Sequence, residues 1–126
     1  IYGEISRPNG LGFFPDGKLL VSCSDPHDPT WYIIDRVSDT MTAVSVFYTV
    51  AGEPKGLKGL PDGLKIDKKG NVFATGPGGV WIFNNERKLL GKIKLDEACS
   101  NVALSPDEKT LYITNDMNVL RLKMRK

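Results

Sequence analysis

Three stretches of the chain lie over one another: Asn9-Gly-Leu-Gly-Phe-Phe-Pro-Asp-Gly-Lys-Leu-Leu-Val-Ser22, Asp62-Gly-Leu-Lys-Ile-Asp-Lys-Lys-Gly-Asn-Val-Phe-Ala-Thr75 and Asn101-Val-Ala-Leu-Ser-Pro-Asp-Glu-Lys-Thr-Leu-Tyr-Ile-Thr114. Each opens on Asn or Asp and runs through a short strand with apolar side chains at alternate positions, Leu11 and Phe13 in the first copy and Leu64 and Ile66 in the second. Each then turns, at Pro-Asp-Gly, Lys-Lys-Gly or Pro-Asp-Glu, and enters a second β-rich run. The third copy is one residue out of step. Further strands follow: Trp31–Arg36 and Met41–Val50, then Val80–Asn84 and Leu89–Leu95, then Asn118–Met124 alone. That predicts four antiparallel strands per unit and three in the last. The starts at 9, 62 and 101 are 62 − 9 = 53 and 101 − 62 = 39 residues apart, bracketing the ~40–50 residues of a propeller blade.

Working outward, no segment holds a helical period, because a Gly, Pro or Asn resets the apolar phase every few residues. The 13 Gly and 8 Pro make about one residue in six, the composition of a turn-rich all-β chain. Blades bury their apolar faces only against neighbours, and three blades close no ring. The expectation is therefore a partial β-propeller over residues 1–126, about half of a six-bladed one. Tyr2–Ser6 is read as the outer strand of a preceding blade, and the last blade lacks its fourth strand. The partner this calls for is a missing N-terminal half or a second copy of the chain.

With 17 Lys+Arg against 15 Asp+Glu, the net charge of +2 gives no footing for nucleic-acid binding. No apolar run reaches the ~20 residues that cross a bilayer, and Ile-Tyr-Gly-Glu is no signal sequence. The expectation is a soluble protein without a membrane partner, its compartment open between cytoplasm and periplasm. Two cysteines 76 residues apart and one histidine exclude a structural zinc cluster. Cys23 and Cys99 read as buried free thiols, and Trp31 and Trp81 as packing between blades. Gly76-Pro-Gly-Gly79 lacks the Lys-Ser/Thr of a phosphate loop and reads as a hairpin. Ser24–Trp31, with two prolines and His27, reads as a loop lying over a propeller mouth.

Arg7-Pro-Asn-Gly-Leu-Gly-Phe-Phe-Pro-Asp-Gly17, Gly59-Leu-Pro-Asp-Gly-Leu-Lys-Ile-Asp67, Gly70-Asn-Val-Phe-Ala-Thr-Gly-Pro-Gly-Gly-Val-Trp-Ile-Phe83 and Leu111-Tyr-Ile-Thr-Asn-Asp116 together resemble the senescence-marker-protein/gluconolactonase/luciferin-regenerating-enzyme (SGL) family, and Phe-Ala-Thr-Gly-Pro-Gly-Gly is most similar to bacterial gluconolactonases. The resemblance implies a six-bladed propeller that hydrolyses sugar lactones with a central divalent cation. It implies that Asn9 and Asp62 are metal ligands. The family's third ligand, a Glu, and the Arg and Asn that hold the lactone have no matching positions, which implies that this chain carries only part of the active site.

The residues themselves agree. Strand-opening side chains of successive blades converge on the central channel, and oxygen donors suit Ca²⁺ first, with Mg²⁺, Mn²⁺ or Zn²⁺ as further candidates. Asp62 is the expected catalytic residue, a ligand that also accepts the proton of an attacking water. Asn101 and His27 are weaker candidates for the surroundings of the metal or the substrate. Standing alone, Asn9-Gly10 and Asp62-Gly63 read as turn caps; the repeat and the resemblance turn them into ligands. The competing reading is a non-catalytic propeller segment that binds or scaffolds, since one fold hosts many functions.

Overall fold

The computed structural model describes residues 3–124, and among these every regular element is a strand. The first blade is β1 (Pro8–Phe13), β2 (Leu19–Asp25), β3 (Asp28–Arg36) and β4 (Thr42–Thr49), and the second is β5 (Leu64–Ile66), β6 (Val72–Gly76), β7 (Gly79–Phe83) and β8 (Leu89–Lys94). The third has β9 (Cys99–Leu104), β10 (Thr110–Asn115) and β11 (Asn118–Lys123). Within each sheet the strands pair antiparallel in chain order. The repeat thus becomes the two inner strands of each blade.

Stacking explains which residues are apolar. Leu20, Trp31, Ile33 and Phe47 of the first blade pack on Leu64, Val72, Ala74, Trp81 and Phe83 of the second. The centre is aromatic: Trp31 lies 5.3 Å from Phe83 and 6.0 Å from Trp81, and Phe47 lies 5.4 Å from Phe83. Tilted and edge contacts of this kind add ~0.5–1.5 kcal/mol each beyond area burial. The other face of the second blade places Phe73 and Val80 on Cys99, Val102, Leu111 and Ile113. Strand β6 is consequently buried on both faces along its whole length. Both cysteines are buried and free, as expected.

One sequence expectation is corrected. The segment Ser24–Trp31 is not a loop over the mouth: β2 and β3 pair down to Asp25 opposite Asp28, leaving Pro26-His27 as the hairpin tip. Pro29 sits near the start of β3, where a missing N–H is tolerated, and its carbonyl still accepts from Val50 N at 2.9 Å. Residues 3–6 are not in a strand within this chain; the preceding blade that Tyr2–Ser6 is read as completing is not among the described residues, and neither is Tyr2. Leu11 and Phe13, apolar at alternate positions, are 60% and 70% exposed. They stand on the free side of the first blade, while Gly10 and Gly12 face the second, where a Cβ on Gly12 would come 2.7 Å from Leu64.

Candidate active site

The inner strands of the first two blades approach closely at one end, and two serines on β2 explain how. Strand periodicity puts Ser22 and Ser24 on the same side. The Ser22 hydroxyl accepts from Gly10 N at 2.6 Å and donates to the Asp62 carbonyl at 2.8 Å. Two residues further, Ser24 Oγ accepts from Asn9 Nδ2 at 3.2 Å and donates to the Pro61 carbonyl. Two parallel rungs therefore tie Asn9-Gly10 to Pro61-Asp62. Gly10 is required there, because a Cβ would run into the Asp62 carbonyl. The second and third blades join in turn through Gly63 N, which donates to Ser100 O at 2.9 Å. The three openings are thus neighbours around one end of the stack, although their registers differ. Asn9 is the second residue of β1, Asp62 precedes β5 by two residues, and Asn101 is the third of β9.

Asp62 reaches its place through the connection from β4. That segment crosses the mouth pinned by Gly78 N donating to Lys58 O at 2.9 Å and by the 2.9 Å Lys58–Glu97 ion pair. Asp62 N then donates to Thr75 O, and Thr75 N and Oγ1 both donate to Gly63 O. The result is a mouth cavity of about 520 Å³ lined by Asp62 with Ser24, Pro26, Leu57, Leu60, Cys99 and Ser100 among others. Burial raises the proton affinity of the Asp62 carboxyl above the ordinary carboxylate value, opposed in part by the Gly63 backbone N–H. Among the described residues no cationic side chain contributes to that shift. Such a carboxylate is short of a positive partner. Cys99, also lining the cavity, is held as a thiol by burial despite the Asn115 amide at 3.3 Å.

The other candidates fall elsewhere. Asn9, Asn101 and His27 do not line this cavity. The Asn101 side-chain oxygen accepts from its own Val102 N at 2.9 Å and meets Lys65 Nζ at 3.5 Å. His27 is exposed at the hairpin tip, its backbone N donating to Asp25. Among the described residues no group of three or more His, Cys, Asp or Glu forms. Ser22, Ser24 and the Leu57–Leu60 approach were not picked out from sequence. The signal for the serines was a Ser-Cys-Ser alternation on the strand beside Asn9.

With this geometry in view, the pattern of the SMP-30/Gluconolactonase/LRE-like region matches residues 1–116. The chain belongs to that family. A gluconolactonase of Zymomonas mobilis is 38% identical over 131 residues, covering 99% of this chain and 37% of the relative. A solved gluconolactonase of Xanthomonas campestris superposes with a TM-score of 0.84 at 26% identity, covering 98% of this chain and 40% of that one. A calcium-binding regucalcin of Agrobacterium tumefaciens shares the fold, with a TM-score of 0.73 at 18% identity over 98% of this chain and 49% of its own. The chain therefore spans about two-fifths of the gluconolactonases it matches.

Proposed function

We propose that this chain contributes a divalent-cation site, built from Asn9 and Asp62, to the hydrolysis of a sugar lactone such as gluconolactone. The observation that carries the reading is the Asp62 carboxylate, partly withdrawn from water in the mouth cavity with no cationic partner among the described residues, on a backbone that Ser22 and Ser24 join to Asn9-Gly10. An amide oxygen and a carboxylate are hard donors that fit Ca²⁺, Mg²⁺ or Mn²⁺. When bound, such a cation polarises a lactone carbonyl and acidifies water. Asp62 accepts the proton of the attacking water. Leu57 and Leu60 give one side of the cavity an apolar lining. The gluconolactonase relatives and family membership support the reaction class. The acidic third ligand and the lactone-holding groups belong, in this reading, to the part of the propeller outside this chain, supplied by an N-terminal half or a second copy. A non-catalytic segment that merely holds an ion is the alternative.

The test is a chimera. Replacing the matching segment of the Zymomonas mobilis gluconolactonase with this chain is expected to preserve gluconolactone hydrolysis in a pH-stat, whereas the 126-residue chain alone turns over little or none. Asp62→Asn in the chimera should lower the rate by ~10² or more. A chimera that works equally well with Asp62→Asn contradicts the proposal.

A further inference from the structure

The serine rungs carry a consequence for Asn9 that no sequence resemblance supplies. The Ser24 hydroxyl has one proton, and the Pro61 carbonyl, which can only accept, takes it. The lone pairs of Ser24 Oγ are what remain for Asn9. Only the amide nitrogen can meet them, as the 3.2 Å Asn9 Nδ2 to Ser24 Oγ bond records. An Asn9 side chain flipped by half a turn would set its carbonyl oxygen against the hydroxyl oxygen with no proton between them. Proline at 61 strengthens the logic: it has no N–H of its own, so its carbonyl is the group through which the chain just before Asp62 can be held. The parallel rung through Ser22, itself fully buried, joins Gly10 N to the Asp62 carbonyl. Ser24 thus reads the direction of its own hydroxyl from the Asp62 segment and passes it to the Asn9 amide.

We infer that Ser24 is a positioning residue for Asn9: it holds the amide nitrogen toward β2 and so leaves the carbonyl oxygen Oδ1 as the atom Asn9 offers to a cation. The inference rests on the proposed reading of Asn9 as a ligand. A hard cation binds the amide oxygen and is repelled by the amide N–H₂, so an unanchored Asn9, with three χ1 wells and two amide orientations in each, would present Oδ1 to it in roughly one conformation of six. Loss of the anchor weakens binding without removing any ligand.

The experiment measures Mn²⁺ binding to the full chain by the paramagnetic resonance of free Mn²⁺, alongside thermal unfolding and the ¹H–¹⁵N side-chain resonances of Asn9. Ser24→Ala is expected to weaken Mn²⁺ roughly sixfold, the inverse of that competent fraction, and to shift the Asn9 Hδ2 resonances. Ser24→Thr, which keeps the hydroxyl, should restore affinity to within about threefold of the parent. Thr30→Val is the stability control, since Thr30 is buried and its hydroxyl bonds Asp28 and Thr49 rather than Asn9, Ser24 or Asp62; it should lower the melting temperature and leave Mn²⁺ affinity alone. Undiminished binding in Ser24→Ala overturns the positioning role and leaves the metal site standing. Equal weakening in Ser24→Ala, Ser24→Thr and Thr30→Val shows that affinity follows stability alone and also overturns it. A parent chain that binds no Mn²⁺ removes the metal reading and this assignment together.

Discussion

Asp62 sits where a carboxylate is uncomfortable without company. Its proton affinity is raised by burial, so the folded chain binds that proton more tightly than the unfolded one, whose value is near 3.8. The sign follows from linkage. The contribution to stability is present below pH 3.8 and is lost as pH rises through the raised folded value. Asp62→Asn removes that loss while keeping an acceptor for Gly63 N. The variant should therefore melt at the same temperature as the parent near pH 3 and slightly higher at pH 7. The gain stays below about 1 kcal/mol because the side chain keeps contact with water. Melting curves at the two pH values check it, and a lower melting temperature for Asp62→Asn at pH 7 in metal-free buffer would show that Asp62 has a cationic partner. A nearby cation reverses the sign, which is how a ligand carboxylate differs from a structural one.

The strand edges are held by residues that occupy an unfavourable backbone conformation. The β1–β2 and β5–β6 turns place glycine in the left-handed region, Gly17 at φ +92° and Gly70 at +86°. The equivalent turn positions after β7 and β9 carry Arg87 at +69° and Glu108 at +58°. Both reach back to the preceding blade. Arg87 donates to Val46 O at 2.8 Å and Ser45 Oγ at 3.0 Å, and Glu108 accepts from Lys68 N at 3.1 Å. Strain within a blade is offset by clasps between blades. Arg87→Ala keeps the strain and loses the clasp, so it should destabilise by ~1–2 kcal/mol. Arg87→Gly loses the clasp but relieves the strain and should recover about 1 kcal/mol of that. Urea unfolding of the two variants decides it: equal stabilities would mean that the left-handed conformation stores nothing. Strand positions were legible because Asx and Gly turns punctuate an alternating pattern, and observed ends fall within about three residues of those read from sequence. The hairpin at Pro26-His27 was not, because two prolines and a histidine carry loop chemistry while the Asp25–Asp28 pairing is decided by the ladder behind them. Asn9 and Asp62 stand out as candidates only through the repeat and the family resemblance. The serine rungs were not, because serine on a strand is chemically unremarkable until its two neighbours are known.

At the scale of the molecule, the stack ends in two apolar faces. Against the first blade lies a cavity of about 560 Å³ lined by Ile5, Pro8, Leu11, Leu19, Val21 and Ile34. On the third blade Val119 is 73% and Met117 89% exposed. Surfaces of this kind and the free edge of β11 are sites of association. The gluconolactonase relatives, more than twice as long, have further chain to cover them. The isolated chain is therefore expected to sediment at micromolar concentration as species heavier than its 13.9 kDa, and Phe13→Asp to shift it toward the monomer. A stable monomer that takes up no hydrophobic dye would contradict the open-stack description.

The central claim is that Asn9 and Asp62 bind one divalent cation at the mouth. Thermal unfolding of the chain and of Asp62→Ala, each with and without millimolar Ca²⁺ or Mn²⁺, tests it directly, since a ligand of the folded state raises its melting temperature. The parent should be stabilised by the cation and Asp62→Ala left where it was. Equal stabilisation of both proteins would place the cation elsewhere and contradict the account.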